Sequence, residues 1–521
     1  MRVAALDLGT NSFHLLVADA HADGRIDPLV REKVMLRLGD VVSRHGYIPP
    51  TAADQVVDTV RRFRLLAEAA DADDVLARAT SAIRRATNGA EIVDRIEAET
   101  GVVVEVISGH EEARLIFGAV RASVVLDPAP ALCFDLGGGS LEIMIGDARQ
   151  LDWATSVPAG VARLTAEVVT SDPISKRDRR ALRERIEAEL EPVRHAVARY
   201  APRMAVGSSG TLESLAQMVT ARRSEDTPAS LNQLTITRDE FLVVHKEIVG
   251  SSATERLRFP GLDARRVDLI VAGSMVLATA MELFDLDTLT ISEWALREGI
   301  VLDAVGRHQG ADWSDDPRAI RRESVVALAR RCNWAEAHAR KVADLALELF
   351  DATADLHQLT PADRELLEHA ALLHDIGEHV ASAGHHRHSA YLVRNGQLRG
   401  FAPAEIELLA AVVRWHRRGD PRVSDEFPLL DADAIERVRA LAALLRVADG
   451  LDRSRESTVD SLGVSVTPSL VLVRPRTQDG ADAELEIWGA RRKRDMLERV
   501  LDRDVELTTH ERTRREREDA L

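Results

Sequence analysis

Short apolar runs alternate with helical stretches along the first 306 residues of the chain. A helical pattern covers 52–70, and runs rich in aliphatic and β-branched residues mark the expected strands: 3–6, 13–18, 75–79, 102–107, 131–147, 204–207 and 289–292. Alternation of this kind is typical of α/β proteins. It predicts two α/β segments, 1–125 and 126–306.

The pattern changes beyond residue 306. Residues 307–318 are polar and rich in turn formers, which indicates a linker, and 319–456 repeat apolar residues at helical spacing, which predicts an all-α domain. A small α+β unit is expected at 457–507, with one helix at 491–501 after strand-like alternation at 462–466, 470–473 and 483–488. Residues 508–521 are expected to form a charged helix or a frayed tail.

Two predicted hairpins match each other in sequence. DLGTNSFHLLVAD at 7–19 aligns without gaps with DLGGGSLEIMIGD at 135–147 and shares the aspartate, leucine, glycine, later serine and closing aspartate. Each reads as a strand, a turn of small residues and a second strand. Matching hairpins in two α/β segments predict a duplicated fold whose halves face each other across a cleft.

Composition narrows the class of protein. The chain has 521 residues, 45% of them hydrophobic and 29% charged, which fits about three or four folded units. Two cysteines without a CxxC partner, and no apolar run long enough to cross a bilayer, predict a cytoplasmic protein. A net charge of −17 argues against a broad duplex nucleic acid surface, but a local groove could still hold a polyanion.

The turns of both hairpins let backbone N–H groups approach phosphate oxygens without an intervening side chain. Each first strand also ends on an aspartate, Asp7 or Asp135, and carboxylate oxygens suit Mg²⁺ or Mn²⁺. A third strand, turn and helix at 205–218 offers donors at a helix N-terminus: Gly207, Ser208, Ser209 and Gly210. One such turn could equally be a ligand-free hairpin, but two matched copies favour a phosphate site.

Six segments in order resemble the exopolyphosphatase and guanosine pentaphosphatase (Ppx/GppA) family: DLGTNSFHLLV, ATSAIRRATN, VISGHEEARLIFGAV, FDLGGGSLEIMIG, VGSSGTLESLA and SEWALREGI. The resemblance covers residues 1–305 and continues more weakly into the C-terminal half. It implies the duplicated, ribonuclease H-like α/β fold of actin, sugar kinases and Hsp70. It also implies a homodimer that removes terminal phosphate from a polyanion by means of a carboxylate-activated water.

The same resemblance assigns catalytic roles. Glu112 falls on the general base, and Asp135 and Glu142 fall on the metal-linked carboxylates. Glu142 lies an odd number of residues from Asp135, but the glycine turn between them breaks the strand alternation, so both can face the cleft. Without this context the pair 111–112 could be a solvated helix face, and Glu111 is expected to point outward because adjacent helical residues diverge by about 100°.

Substrate contacts also follow from the resemblance. Arg84 matches a substrate-binding arginine, whereas Arg85 could equally be a solvated charge. The expected phosphate contacts from the hairpins are Asp7, Gly9, Asn11, Ser12, Gly137, Gly138, Gly139 and Ser140. The chain departs from its relatives before ALREG, where it reads Ser292, Glu293 and Trp294.

Histidines and aspartates in the helical region form a second pattern. His338, the pair His374 and Asp375, and Asp449 reproduce the H…HD…D signature of HD-domain metal phosphohydrolases and predict an HD-like domain with a transition-metal site. Further histidines could support a second metal: His385, His386, His388 and His416. Alternatively, HHRH is only a surface cluster. Nearby arginines could extend a path for a long anionic chain: Arg387, Arg414, Arg417 and Arg418.

Three functions are compatible with these motifs. The leading hypothesis is an exopolyphosphatase acting on inorganic polyphosphate. The alternatives are a guanosine pentaphosphate 5′-phosphohydrolase and a non-catalytic sensor of polyphosphate or nucleotides. Intact Glu112, Asp135 and Glu142 disfavour a sensor, since a binding protein has no need of a general base. A sugar kinase is disfavoured because it would lack the GHEEARLI and ALREG segments.

Overall fold

The protein is described by a computed structural model that divides into two compact units. The first comprises Met1–Ile320 with Arg399–Ala402, and the second comprises Arg321–Leu398 and the described residues from Pro403 onward. Most of the predicted linker and nearly all of the predicted tail lie outside the described residues, which are 1–223, 228–309, 316, 318–477 and 481–508.

The first unit contains a five-stranded sheet with the order β3-β2-β1-β4-β5. β1 and β3 lie antiparallel to β2, β4 lies parallel to β1, and β5 lies parallel to β4. The strands are β1 Arg2–Leu8, β2 Ser12–Ala20, β3 Ile26–Met35, β4 Asp74–Ala79 and β5 Val104–Val106. The helices that follow them are α1 Leu38–His45, α2 Pro50–Ala69, α3 Ser81–Arg85, α4 Gly89–Thr100 and α5 Gly109–Ser123.

A second sheet in this unit repeats the first. Its strands are β6 Ala131–Leu136, β7 Leu141–Gly146, β8 Leu151–Val157, β9 Met204–Ser208, β10 Thr235–Thr237 and β11 Thr288–Ile291. In the order β8-β7-β6-β9-β11 two antiparallel pairs are followed by two parallel pairs, as in the first sheet, and β10 is added at the edge. The two sheets therefore form the duplicated α/β fold that actin, sugar kinases and Hsp70 share. The helices are α6 Val161–Val168, α7 Lys176–Leu190, α8 Arg194–Tyr200, α9 Gly210–Arg223, α10 Arg238–Gly250, α11 Ala253–Arg256, α12 Ile270–Leu283 and α13 Leu296–Gln309.

The apolar core explains the run at the start of the chain. On β1, Val3 and Ala5 enter one buried cluster, while Ala4 and Leu6 enter another. A strand buried on both faces carries a continuous apolar run. The first of these clusters also contains α5 and α13, which approach closely: a Cβ on Gly299 would stand 2.1 Å from the carbonyl oxygen of Leu115. This contact positions α5 within the unit.

The second unit is helical and ends in a small sheet. Its helices are α14 Ala319–Arg331, α15 Glu336–Ala352, α16 Ala354–His357, α17 Pro361–Leu373, α18 His385–Asn395, α19 Pro403–Trp415, α20 Ala432–Gly450, α21 Glu484–Arg491 and α22 Asp495–Leu501. The strands are β12 Val459–Val466, β13 Leu470–Thr477 and β14 Asp504–Leu507. β12 lies antiparallel to β13, and β14 lies parallel to it.

The strand predicted at 483–488 is wrong, because these residues belong to the start of α21. Ala483, Ile487 and Ala490 are buried at spacings of four and three, which is a helical period, and the Asp482 carboxylate accepts the N–H of Glu484 at 2.9 Å. The third strand is instead β14, which the sequence pattern did not indicate. The domain boundaries drawn from the sequence stay predictions, although the two sheets fall within 1–125 and 126–306.

Within the described part of the chain, no helix combines sufficient length with sufficient apolar character to cross a bilayer.

Candidate active site

Each matched hairpin is anchored by the start of the following helix. The Gly39 N–H in α1 donates to the carbonyl oxygen of Thr10 at 2.8 Å, and the Ala162 N–H in α6 donates to the carbonyl oxygen of Gly138 at 2.9 Å. The two hairpins thus match in their sequence and also in the backbone hydrogen bond that holds each turn.

Gly160 fixes the second turn through main-chain contact. A Cβ at this position would stand 2.3 Å from the carbonyl carbon of Gly139, 2.4 Å from the nitrogen of Ser140 and 2.5 Å from the carbonyl carbon of Gly138. Any side chain here would displace the turn. Gly160 was not among the predicted site residues, since its contact partner lies about 20 residues away in sequence and no local pattern marks it.

The three small-residue turns meet at one cavity of about 380 Å³ in the first unit. The cavity opens between the two sheets, as the duplicated hairpins led us to expect. Most of the predicted site residues line it: Asp7, Gly9, Asn11, Ser12, Glu112, Asp135, Gly137, Gly138, Gly139, Ser140, Ser209 and Gly210.

Asp135 and Glu142 are direct cross-strand partners in the β6–β7 pair. Residues opposite each other in an antiparallel pair project to the same face. Their odd separation is therefore what a hairpin requires, and the two carboxylates share one face of the sheet because a turn lies between them, as expected. Each carboxylate accepts a serine hydroxyl, Asp135 from Ser208 at 2.6 Å and Glu142 from Ser156 at 2.8 Å.

Glu112 lies in the first turn of α5, with a buried side chain. Its Oε2 is 3.3 Å from Nη1 of Arg84, so the arginine predicted to contact substrate pairs here with the predicted base. The adjacent Glu111 points away as expected, and its carboxylate pairs with Arg114 at 2.7 Å near the surface. The helix starts at this point because the Ser108 hydroxyl caps it by accepting the N–H of Glu111.

Four buried carboxylates are destabilised in their charged form. Burial raises the pKa of Asp7 to about 7, of Asp135 to about 6 and of Glu142 to about 7. Burial and the neighbouring charge of Glu142 raise the pKa of Glu112 well above its usual value. A divalent cation would offset this repulsion, and a donor set made only of oxygen atoms fits Mg²⁺ or Mn²⁺.

Four cations also line the cavity and were missed in the sequence: Arg31 and Lys33 on β3, Arg266, and Arg297 on α13. Burial lowers the pKa of Lys33 to about 8, and the charge of Arg297 lowers the pKa of Asp7 against the effect of burial. Only Arg297 had a sequence signal, because it lies within SEWALREGI. The cavity therefore combines anionic groups with cations that suit phosphate oxygens.

Two predicted donors of the third turn lie in β9. Gly207 pairs with Phe134, and a Cβ on it would stand 2.8 Å from Cδ1 of Leu212, so its small size permits packing. Ser208 is buried and donates to Asp135. The role of Gly207 as a phosphate donor stays a prediction.

The segment that departs from the relatives takes part in local hydrogen bonds. Glu293 accepts the hydroxyl of Ser230 at 2.5 Å and the N–H of Leu231 at 2.9 Å, and the Ser292 hydroxyl accepts the N–H of Trp294 at 3.2 Å. The next residue, Ala295, is the first of this segment to line the cavity. The residues that differ from the relatives therefore lie just outside the cavity, where Glu293 holds the loop at 230–231.

The predicted ligands of the second unit also converge. His374 and Asp375 directly follow the end of α17, and Asp449 lies near the end of α20. The structure groups His338, His374 and Asp375 together, and Asp375 with two of the additional histidines, His385 and His416. His386 and His388 lie outside these groups.

The duplicated fold and its carboxylate-lined cavity define an α/β enzyme that acts on phosphate groups. Residues 16–308, more than half of the chain, match the family model described as the Ppx/GppA phosphatase family, and residues 320–471 match Ppx/GppA phosphatase, domain III. The chain belongs to the Ppx/GppA phosphatase family.

Relatives and solved structures agree with this placement. The chain is 36% identical over 303 residues to Exopolyphosphatase 1 of Mycobacterium tuberculosis, a match that covers 58% of this chain and 88% of that protein. An exopolyphosphatase structure from Cytophaga hutchinsonii is 31% identical with a TM-score of 0.56, covering 60% of this chain and 100% of that one. A Ppx/GppA structure from Aquifex aeolicus is 28% identical with a TM-score of 0.52, covering 59% and 99%.

Proposed function

We propose that the first unit is an exopolyphosphatase that releases terminal phosphate from inorganic polyphosphate. The observation that carries this proposal is the single cavity where three small-residue turns meet buried carboxylates and the cations Lys33, Arg266 and Arg297. The turns and cations suit an anionic chain, and the carboxylates suit activation of water. The names of the mycobacterial and Cytophaga relatives support polyphosphate as the substrate.

Glu112 is the group that we assign as general base. It takes a proton from water while the water oxygen bonds to the terminal phosphorus and the bond from that phosphorus to the bridging oxygen breaks. Burial raises the pKa of Glu112, which makes its carboxylate a better proton acceptor. The products are orthophosphate and a chain shortened by one phosphate.

Asp135 and Glu142, with Asp7 nearby, are the residues that would hold Mg²⁺ or Mn²⁺. The bound ion would supply a Lewis acid for the charge that develops on the phosphoryl oxygens. The turn at 137–140 orients the terminal phosphate through its backbone N–H groups, and Arg297 adds positive charge beside Asp7.

Guanosine pentaphosphate is the alternative substrate, since the same turns would hold its 5′-phosphates. A sensor without turnover is the alternative from another class. A sensor would leave the buried Glu112 without a role, and the relatives named exopolyphosphatase favour polyphosphate over guanosine pentaphosphate.

The test is phosphate release by the purified chain with Mg²⁺ or Mn²⁺, comparing long-chain polyphosphate with guanosine pentaphosphate. We expect faster release from polyphosphate, and a loss of about 10²- to 10⁴-fold in Glu112→Gln because that substitution removes the base. Glu111→Gln is the matched control on the same helix and should keep wild-type turnover.

Faster phosphate release from guanosine pentaphosphate than from polyphosphate would identify guanosine pentaphosphate as the substrate. Tight polyphosphate binding with no release by the folded, metal-loaded chain would support the sensor instead. Equal turnover in Glu112→Gln and Glu111→Gln would remove Glu112 from the role of base.

A homodimer is proposed from the family resemblance. Light scattering of the purified chain should give twice the mass of 57.2 kDa for a dimer.

A further inference from the structure

The second unit contains a cluster of imidazole and carboxylate groups that the proposed exopolyphosphatase reaction does not use. Nε2 of His338 lies 3.8 Å from both Asp375 Oδ2 and Asp449 Oδ1. Nε2 of His374 lies 3.6 and 3.9 Å from the same two atoms. Ligands about 2.1 Å from one ion lie roughly 3 to 4.2 Å from one another, so these four donors fit around a single metal.

The orientation of each ring supports this assignment. His374 Nδ1 is 2.7 Å from the carbonyl oxygen of Ala371, and His338 Nδ1 is 2.8 Å from Oδ2 of Asp452. Because a carbonyl oxygen or a carboxylate accepts, Nδ1 carries the proton and the lone pair of Nε2 points into the cluster. Both Nε2 atoms are buried without a hydrogen-bond partner, and their side chains are 3% and 0% exposed.

Asp375 extends the cluster to a second group through its other oxygen. Its Oδ1 lies 3.1 Å from Nε2 of His385 and 3.6 Å from Nε2 of His416. These rings are held in the same way, with Nδ1 of His416 at 2.7 Å from the carbonyl oxygen of Val413. The two oxygens of one carboxylate thus face two separate sets of imidazole nitrogens.

We propose that the second unit binds two divalent transition-metal ions bridged by Asp375 and uses them to hydrolyse a phosphate ester that carries a planar base. His338, His374 and Asp449 complete the first ion's ligands, and His385 and His416 complete the second's. Mixed nitrogen and oxygen donors favour Mn²⁺, Fe²⁺, Co²⁺ or Zn²⁺ over Mg²⁺. Such pairs of ions lie about 3.5 to 4 Å apart in phosphoester hydrolases.

The class of substrate follows from the cavity of about 480 Å³ beside the cluster. Its cations include Arg455, which donates to Asp375 at 2.6 Å, and Lys493, which pairs with Asp449. These carboxylates would be neutralised by the metals, which leaves the two cations to bind phosphate oxygens. Trp488 lines the same cavity with its side chain half exposed, and an aromatic ring at that place suits stacking with a nucleotide base.

The reaction is a simple hydrolysis. A water oxygen forms a bond to phosphorus as the ester bond to the alcohol oxygen breaks, and the leaving alkoxide takes the proton that the water releases. The ions held by these residues would supply Lewis acidity that lowers the pKa of the water and offsets the charge of the phosphoryl oxygens.

The first experiment counts bound metal in a Glu142→Gln background, which disables the first unit's site and separates this test from the exopolyphosphatase proposal. After loading with Mn²⁺ and gel filtration, elemental analysis should find about two ions per chain, with an exchange-coupled electron paramagnetic resonance signal. His416→Ala should retain about one ion and lose the coupling. His388→Ala, on the same helix as His385 but outside the ligand groups, should retain two.

The second experiment measures hydrolysis of p-nitrophenyl phosphate and bis(p-nitrophenyl) phosphate in the same background. Manganese-dependent hydrolysis should fall at least about 10²-fold in His374→Ala and persist in His388→Ala. Because His374 is fully buried, His385→Gln at the cavity wall provides a second variant, and circular dichroism verifies its fold. One ion or none per chain would overturn the two-metal centre, and two ions without hydrolysis of either ester would overturn its catalytic role.

Discussion

The two candidate sites of this chain use different parts of the polypeptide. In the first unit, main-chain turns line the cavity with the carboxylates of Asp7, Glu112 and Asp135, and Glu142 lies across the strand pair from Asp135. These four carboxylates do not form a group of three ligand atoms within 4.8 Å of one another. In the second unit, the donors are mainly imidazoles, and two such groups share Asp375. The first site needs a cation and a substrate to complete it, whereas the ligands of the second are already assembled.

This difference predicts different sensitivities. A site made from backbone depends on how closely neighbouring segments approach, so a single added methyl group should damage it. A site made from side chains depends on the hydrogen bonds that orient each ring. Gly160→Ala and Asp452→Ala test these two dependences, and the response of stability to pH and Mg²⁺ tests the charge of the carboxylates in the first site.

Gly160→Ala should have the largest effect. The new methyl group would overlap the backbone of Gly138 and Gly139 and displace the turn by an ångström or so, which costs on the order of 10²-fold in kcat/KM for polyphosphate. Gly118→Ala is the control, because nothing lies within 4 Å of its added Cβ. Steady-state phosphate release measures both, and wild-type activity in Gly160→Ala would show that the turn does not position substrate.

Asp452→Ala should weaken metal binding in the second unit by about 10- to 100-fold, because His338 loses the acceptor that orients its ring. Competition with a fluorescent chelator measures the affinity for Mn²⁺. Asp452→Asn keeps an acceptor oxygen and should recover part of the affinity. Equal affinity in wild type and Asp452→Ala would mean that the ring is oriented by packing alone.

The response of stability to pH and Mg²⁺ should be the smallest effect. The raised pKa values of Asp7, Asp135 and Glu142 mean that the metal-free folded chain binds more protons than the unfolded chain between about pH 4 and pH 7. Its free energy of unfolding therefore falls as the pH rises through that window. Saturating Mg²⁺ should raise the Tm by about 2–4 °C at pH 8 and by less at pH 5.5, where protons compete.

Differential scanning fluorimetry at the two pH values measures this response. Asp135→Asn removes one of the titrating groups and should reduce the difference between them. A larger Mg²⁺ shift at the lower pH would contradict the assignment of these carboxylates as a cation site.

Much of the fold could be predicted from local sequence. The apolar runs indicated β1, β2, β4, β5, β6, β7, β9 and β11, and the matched hairpins indicated the duplication. Both depend on residues that are neighbours in the chain, so periodicity and turn chemistry suffice to find them. By contrast, β3, β8, β10 and β14 were not indicated, because each lies at the edge of its sheet and lacks a continuous apolar run.

The candidate sites divide in the same way. The sequence by itself determined which segments carry chemistry: the turns after Asp7 and Asp135, Glu112 in its helix, and the adjacent pair His374 and Asp375. These patterns are short, and each residue type has a chemical reason for its place. They could be found before any contact was known.

Only the tertiary structure decided which groups meet. It placed Arg297 beside Asp7, set Gly160 against the second turn, and selected His385 and His416, rather than their neighbours in HHRH, as partners of Asp375. Each of these contacts joins residues at least ten positions apart, which exceeds the period of a helix or a strand. Their distances depend on how helices and sheets pack against one another, which no local pattern of residues encodes.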